Sequence, residues 1–242
     1  MIEEKPEMAL KRKKKPSVTK LEIIRVASRL FLEEGYSVTS IRQIGEKVGI
    51  SSGNVMFHFP TKEHLLAVLV DVLCDFQWKL MENETDDSTG SVMSICLELM
   101  SMAAACEENE IAKDFFVSAY QSPMTLEIIR KNDLERSKKV YADYCENWTE
   151  YQYIEAETLV SGVEYATLMT TENSAPLDVR ISGALNQIMS IYGVPEAIRK
   201  TKIARVLDMD YRAVGQRILR EFIEYAEKAT DAAFEDVAAK KG

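Results

Sequence analysis

Glycine, proline and histidine are scarce in this chain of 242 residues, which holds 10, 6 and 2 of them. So few helix breakers favour long helices, and no segment shows the alternation of apolar and polar residues that marks a half-buried strand. Two histidines are too few for most zinc sites. The sequence also lacks a G-x-S-x-G motif, a phosphate-binding glycine loop and a dinucleotide fingerprint. These absences predict an all-α protein that is not an enzyme and has no catalytic residues, metal or cofactor.

Cysteines and long apolar runs are also few. None of the four cysteines forms a C-x-x-C pair, and all lie in segments with helical patterns. Their simplest interpretation is free, buried thiols in a reducing compartment, and the spacing gives a redox pair no support. The charged N-terminus lacks the apolar region of a signal peptide, and no apolar run is long enough to span a membrane. We therefore expect a cytoplasmic protein that does not enter a membrane.

Charge is divided unevenly along the chain, although the net charge is −9. Residues 1–62 contain 12 Lys and Arg against 7 Asp and Glu, whereas the remainder contains 18 against 32. A basic head on an acidic body is typical of a DNA-binding domain joined to a domain that stays off DNA. Residues 1–16 include an unbroken basic run at 11–15 and are predicted to be a flexible basic tail. The tail is either solvated or an arm that adds phosphate or minor-groove contacts.

Residues 39–66 begin with a short helix that has clear boundaries. Ser40 and Gln43 have capping-box spacing, so they predict the helix start. Ile44 and Val48 continue an apolar stripe, and Gly49 is placed where a helix end needs positive φ. The pattern predicts a tight turn after Gly49.

The second short helix follows at once, with Ser51 as its predicted cap. Val55 and Phe59 are four residues apart and are expected to face inward. Two short helices around a tight turn are the layout of a helix-turn-helix, whose second helix enters the major groove of DNA. The positions left facing outward are Ser52, Gly53, Asn54, Met56, Phe57 and His58.

Residues 19–66 resemble the DNA-binding domain of TetR-type bacterial transcriptional regulators. The matching stretches are FLEEGY at 31–36, TSI at 39–41, IG at 44–45, VGIS at 48–51, Gly53, HF at 58–59 and TKE at 61–63. The resemblance implies a DNA-binding domain at 17–64 and a helical effector-binding and dimerisation domain at 65–242. Two departures stand out. The family usually has tyrosine at the position of Met56, where its hydroxyl commonly touches the DNA backbone, and alanine at the position of Gly45.

Within this domain the residue types predict separate roles at the DNA. Asn54 can pair with an adenine edge, Phe57 can contact a thymine methyl, and Arg42 can reach a guanine or a phosphate. Lys62 lies in the first turn of the following helix, where a bound phosphate would favour its charge. It is expected to position phosphates. The full candidate set for DNA binding is Thr39, Ser40, Arg42, Ser52, Gly53, Asn54, Met56, Phe57, His58 and Lys62.

The rest of the chain predicts a sequence of helices. A capping box from Thr19 to Glu22 is expected to start the first, Gly35 to end it, and Thr61 to cap the helix that follows the motif and runs to about residue 84. Residues 84–90 read as a loop. Further helices are predicted near 91–107, 109–121, 123–148, 151–171, 176–192, 195–207 and 211–238.

The predicted helix 123–148 carries an aromatic stripe near its end, which is either plain core or the wall of a ligand pocket. The resemblance implies a ligand cavity in the body, so we hypothesise an effector pocket in this region, whose methionines and aromatic rings would suit a lipophilic small molecule. Its candidate residues are Met100, Phe116, Tyr120, Tyr141, Tyr144, Trp148 and Met169.

The resemblance also implies a homodimer through two C-terminal helices, for which the last helix and the segment 181–192 have apolar surfaces. The same surfaces suit an intramolecular core equally well. The expected function is a sequence-specific transcriptional regulator, a repressor released from a palindromic operator in double-stranded DNA by a small molecule. One alternative is a DNA-binding structural or chromosome-organising protein of the same fold, with a protein partner and no small ligand. Another is a protein that sequesters a small molecule.

Overall fold

The computed structural model describes residues 17–83 and 90–239, and this part of the chain is helical with short connections and no strand. The predicted basic tail at 1–16 and most of the predicted loop at 84–90 lie outside the described residues. The helices are α1 Val18–Glu33, α2 Ile41–Val48, α3 Ser52–His58, α4 Lys62–Asn83, α5 Gly90–Glu108, α6 Glu110–Gln121, α7 Pro123–Val140, α8 Glu150–Leu168, α9 Leu177–Ile191, α10 Glu196–Leu207 and α11 Tyr211–Ala239.

The first three helices form a head, α5 to α11 form a body, and α4 joins the two. Helix α1 packs against α2 and α4, and its apolar side includes Ile23, Leu30 and Phe31, all buried. The cap of α1 is Ser17 rather than the predicted Thr19. The Ser17 hydroxyl accepts a hydrogen bond from the Lys20 backbone N–H at 3.2 Å, so the helix begins at Val18. The capping-box prediction at this end was therefore wrong.

The turn between α2 and α3 has the predicted chemistry. The Gln43 N–H donates to Ser40 Oγ at 3.2 Å, and the Ser40 N–H donates to Gln43 Oε1 at 2.8 Å, which confirms the capping box. Gly49 has φ +80°, a conformation that disfavours any side chain. A Cβ at Gly45 would lie only 2.9 Å from the Ile50 carbonyl oxygen. Glycine at position 45 therefore permits a tight return of the chain after α2.

In the body, α5 is central and packs most extensively against α11. Gly215 of α11 approaches α5 so closely that a Cβ there would lie 2.8 Å from the Ala104 Cβ. Phe222 and Ala226 of α11 are buried, and the Phe222 ring stacks on Phe115 with 5.8 Å between centroids. The last helix thus contributes to the core of its own chain, which is one of the two roles that the sequence left open for it.

The predicted helix 123–148 is also wrong, because α7 ends at Val140 and a 3-10 turn follows at Ala142–Tyr144. At this point the Tyr141 ring stacks on Tyr192, with centroids 4.0 Å apart and planes 8° apart. The Cys145 thiol donates to the Tyr192 carbonyl oxygen at 3.5 Å. These contacts, made with a residue far along the chain, bend the backbone out of the helix. The aromatic stripe expected on one helix face therefore does not exist.

Candidate nucleic-acid interface

Helix α3 has one side packed in the core of the head and the other side exposed. Val55 and Phe59 are 0% and 4% exposed and hold the helix against the head's core, as predicted. Its other side projects outward, with Phe57 83% exposed and Met56 51% exposed. Asn54 is also exposed. Large apolar side chains presented beside an amide in this way mark a surface that meets a partner.

Three further candidates on α3 occupy less prominent positions. Gly53 is exposed, and the nearest atom that a Cβ there would meet is the Ser51 Oγ at 3.9 Å, so the backbone is open to close approach. Ser52 and His58 are half-buried. The His58 ring packs edge-on against Phe57, with centroids 5.3 Å apart, and so supports the exposed ring.

Arg42 and Ser40 lie at the start of α2. The Arg42 guanidinium donates to Glu46 Oε1 at 2.8 Å, but both side chains are exposed, so the pair is weak and its charge remains available to a phosphate. Ser40 is exposed at the helix N-terminus, where backbone N–H groups favour an anion. Both residues are therefore placed where a phosphate contact is geometrically open.

Thr39 is not. It is 2% exposed, and its hydroxyl donates to the Gly35 carbonyl oxygen at 2.7 Å. The hydroxyl is thus engaged within the head, and the expected place of Thr39 among the DNA-binding residues stays a prediction. In the structure Thr39 closes the loop between α1 and α2.

Lys62 also turns inward. Its ammonium donates to the carbonyl oxygens of Tyr36 at 2.7 Å and Thr39 at 2.9 Å, and lies 4.1 Å from the centre of the Tyr36 ring. Burial lowers the pKa of Lys62, an effect that the charges of Glu63 and Asp114 oppose. The ammonium therefore fastens the α1–α2 loop to the start of α4. A phosphate contact would use the same donors, so the expected role of Lys62 at DNA stays a prediction.

The predicted pocket residues are mostly packed core. Met100, Tyr120 and Tyr141 are buried, Tyr144 and Trp148 are partly buried against the core, and Met169 is 42% exposed. Of the predicted set, Phe116 lines one of two adjoining cavities, of about 140 and about 30 Å³, in the described part of the body. The larger cavity is lined by Gln77, Leu80, Ser94, Leu97, Glu98, Arg136, Met209, Val214, Arg217 and Ile218.

A buried ion cluster borders this cavity and was missed in the sequence. Arg136 donates through Nη1 to Glu98 at 3.0 Å and to Asp133 at 3.1 Å, and through Nη2 to the second Glu98 oxygen. The Arg136 side chain is 3% exposed. Burial raises the pKa of Asp133 to about 7, although the guanidinium opposes that change. Arg136 Nε is buried with no hydrogen-bond partner among the described residues.

Two more buried carboxyl groups come from α8. Tyr120 donates to Glu164 at 2.9 Å, and Tyr192 donates to Glu157. Burial raises the pKa of both Glu157 and Glu164, and the nearby Asp133 adds to the effect at Glu164. Both acids lie seven residues apart on the buried side of α8. Acids at that spacing within an apolar stripe were the signal in the sequence that could have revealed them.

Substitution of Glu164 by glutamine is expected to stabilise the protein more at pH 8 than at pH 5. A carboxyl group with a raised pKa holds its proton more tightly in the folded state, so it lowers the free energy of unfolding as pH rises above the ordinary carboxyl value. Glutamine removes this titration and still offers an oxygen to Tyr120. The gain in melting temperature should reach several degrees at pH 8. Thermal unfolding of both proteins across this range measures it.

The matched control is Glu155→Gln, which changes an exposed carboxylate on the same helix. Its melting temperature should follow that of the parent at both pH values. A Glu164→Gln variant that lost stability equally at pH 5 and pH 8 would contradict the burial argument.

The four cysteines are free and buried, as expected, and burial raises the pKa of Cys74, Cys96 and Cys106. Among residues 17–83 and 90–239, no three His, Cys, Asp or Glu side chains are grouped to hold a metal ion. No helix in these two ranges is both long and apolar enough to cross a membrane.

Comparisons with known proteins point to the head. The family model described as "Bacterial regulatory proteins, tetR family" matches residues 23–69. The HTH-type transcriptional regulator YerO of Bacillus subtilis, itself uncharacterized, is 32% identical over 98 residues, which cover 40% of this chain and 34% of YerO. AcrR of Shigella flexneri is 33% identical over 76 residues, covering 31% of this chain and 32% of AcrR.

Both matches therefore span about a third of the relative's length. The solved structure of Salmonella enterica GusR aligns with 75% of this chain and 97% of its own, at 20% identity and a TM-score of 0.46. The family-model match covers most of α1, the helix-turn-helix and the start of α4. In residues 23–69 the chain is therefore similar to the DNA-binding domain of TetR-type bacterial transcriptional regulators.

Proposed function

We propose that the chain is a sequence-specific DNA-binding regulator, a repressor released from a palindromic operator by a small molecule. The exposed face of α3 carries this proposal. Asn54 and Phe57 stand on a helix whose opposite side is anchored in the core by Val55 and Phe59. A rigid short helix with an amide and an apolar ring outward has what reading base edges in the major groove requires.

The roles of the other candidates follow from their exposure. Ser40 and Arg42 are the proposed phosphate contacts, because both are exposed at the start of α2. Thr39 and Lys62 are positioning residues that hold the α1–α2 loop. The remaining members of the face, which approach the backbone or the groove edges, are Ser52, Gly53, Met56 and His58. The proposed DNA-binding domain spans 17–64, and the effector-binding and dimerisation domain spans 65–242.

A homodimer is proposed through α8 and α9 rather than through the last helix. The exposed side of α8 carries Leu159 and Gly162 at helical spacing, with the exposed Met169 just after its end, and that of α9 carries Val179 and Gly183. A Cβ at Gly162 or Gly183 would meet nothing within 4 Å. The two helices pack side by side, so their small and apolar residues offer a broad surface to a second copy. Two recognition helices would then read two half-sites.

The proposed effector site is the pair of cavities between α4, α5, α7 and α11. Gln77 and Leu80 of α4 line both cavities, and α4 begins directly after the recognition helix. A ligand that prefers one position of these helices shifts the population of head orientations by its difference in affinity for the two states. Lower operator affinity with ligand bound is the expected sign.

The structural DNA-binding alternative has one observation in its favour. Most of the predicted pocket residues are filled core, and the larger cavity measures only about 140 Å³. A chromosome-organising protein with a protein partner needs no larger space. It differs from the regulator in binding many DNA sequences almost equally.

Selection of bound sites from a random duplex library at physiological salt separates these functions. The regulator predicts a palindromic consensus with two equal half-sites. Binding that depends on salt but yields no consensus would favour the structural protein. An absence of binding would refute both and leave a small-molecule role for the body.

Replacing Met56 by tyrosine is expected to tighten operator binding. Met56 is 51% exposed on the recognition helix and has no hydroxyl with which to reach a phosphate. One hydrogen bond to a charged acceptor contributes about 1.5–3 kcal/mol, so the gain should be about tenfold or more. Titration of labelled operator DNA measures it. Met56→Phe is the matched control, because it adds the ring without the hydroxyl. Equal affinities for the two variants would show that the hydroxyl makes no contact.

A further inference from the structure

The last helix, α11, contacts the head as well as the rest of the body. Arg25 of α1 forms an ion pair with Asp231 of α11, and its guanidinium lies 4.2 Å from the centre of the Phe234 ring. Arg29 Nη2 lies 3.8 Å from Glu227 Oε1. These groups are 41–62% exposed, so each ion pair contributes only about 0.2–1 kcal/mol. Contacts of this strength bias the orientation of the head without locking it.

The same helix forms one wall of the cavities. Val214, Arg217 and Ile218 line the larger cavity, and Gly215 lines the smaller one. From Ile218 to Asp231 the helix is continuous, a distance of about 20 Å at 1.5 Å per residue. A movement of the first turns of α11 therefore shifts its C-terminal part, which contacts α1.

The volumes of the two cavities limit the size of the ligand that they can bind. An engineered apolar cavity of about 150 Å³ admits benzene, and the larger cavity here is about 140 Å³. The adjoining space of about 30 Å³ is lined mainly by apolar side chains, including Leu73, Phe116 and Phe222. A compact ring or short branched chain fits these dimensions.

The charged groups around the larger cavity limit the kind of ligand that it can bind. Two guanidiniums, of Arg136 and Arg217, and one carboxylate, of Glu98, line the larger cavity. Both Glu98 oxygens already accept hydrogen bonds from Arg136. Arg136 Nε lacks an acceptor among the described residues, and Arg217 makes only an exposed pair with Glu221 at 3.6 Å. A buried guanidinium with an unfilled donor, beside a second guanidinium whose ion pair is exposed and weak, favours a negatively charged acceptor.

We propose that the larger cavity binds a compact organic monocarboxylate and that α11 carries its occupancy to α1. The carboxylate accepts from Arg136 and Arg217, while the apolar part extends toward the smaller space. Because Gly215 packs directly on Ala104, α11 and α5 are closely coupled, and a ligand that prefers one arrangement of the two helices shifts the population toward it. This inference rests on the proposed function, since its final readout is operator affinity.

Calorimetric titration with benzoate tests the site without DNA. Benzoate is expected to bind, with benzamide and benzylamine, of similar size but neutral and cationic, about tenfold weaker or worse. Arg217→Gln should lower benzoate affinity about tenfold, because a charged acceptor loses its ionic partner. Arg220→Gln, an exposed arginine on the same helix outside the cavity, should leave it unchanged. Preference for the amine, an unaffected Arg217→Gln variant, or no binding at millimolar benzoate overturns the site.

A charge swap tests the link to the head. In the parent, benzoate is expected to weaken operator binding by about fivefold or more, the usual range of allosteric coupling. Arg25→Asp and Asp231→Arg should each reduce this response to less than about twofold, and the double variant should restore it. Neither substitution touches the DNA-reading face. Single variants that keep the full response overturn the role of α11. A parent that binds benzoate but no operator refutes the proposed function and leaves the site standing.

Discussion

Phe57→Ala is expected to weaken binding to the selected operator by about 10- to 100-fold, because a good contact at a base edge contributes about 1–3 kcal/mol. The ring is 83% exposed and projects from the recognition helix. Its loss should leave the melting temperature almost unchanged, because exposed substitutions seldom alter stability by more than about 0.5 kcal/mol and alanine favours a helix. Binding titrations and thermal unfolding of the same preparation measure both quantities.

The matched control is Met124→Ala, an exposed apolar residue at the start of α7 in the body. It removes surface of a similar kind far from the recognition helix and should not change operator affinity. If Phe57→Ala bound the operator as tightly as the parent, the outward face of α3 would not be the reading surface.

Lys62→Met is expected to lower the free energy of unfolding by about 1–3 kcal/mol, which is the range for a hydrogen-bonded charge at a partly exposed site. The methionine keeps the aliphatic stem but leaves the carbonyls of Tyr36 and Thr39 without their shared donor. It also removes the cation above the Tyr36 ring. Chemical denaturation measures the loss, and weaker DNA binding should follow from the loosened head.

The salt dependence of DNA binding separates this role from a phosphate contact. A lysine that neutralises one phosphate changes the slope of log affinity against log salt by about 0.9. A positioning lysine changes affinity without changing that slope. Lys47→Met, an exposed lysine of α2, is the control for stability. A stable Lys62→Met protein with a reduced salt slope would restore the phosphate role and remove the positioning one.

The helix-turn-helix could be predicted from sequence because its determinants are local. Ser40 with Gln43, Gly49 and Ser51 each act within a few residues, and the inward positions Val55 and Phe59 follow from helical spacing. Such signals are independent of the rest of the chain, so the pattern and the structure agree.

The sequence was a weaker guide where residues far apart in the chain determine the contacts of a side chain or the end of a helix. Lys62 reads as an exposed first-turn lysine until the loop from Tyr36 brings three carbonyls within 3.5 Å of it. Tyr141 reads as helical until Tyr192, far along the chain, stacks on it. In both cases the local pattern was correct as a propensity, and a tertiary contact overrode it.

The body shows the same limit in its polar interior. Glu98, Asp133 and Arg136 look like ordinary surface charges in the sequence, yet they are bonded to one another between α5 and α7. Charge alone gives no sign of such burial, because the partners come from different helices. The apolar stripe of the last helix likewise left a dimer interface and an intramolecular core equally open, whereas the structure packs that helix against α5.

Site selection from random DNA, carried out in parallel with the parent and with Asn54→Ala, tests the central claim most directly. The account predicts a palindromic consensus for the parent and a change at one base pair in each half-site for the variant, with the other positions retained. Identical consensus sequences for the two proteins, or no consensus for the parent, would contradict the assignment of α3 as the helix that reads DNA.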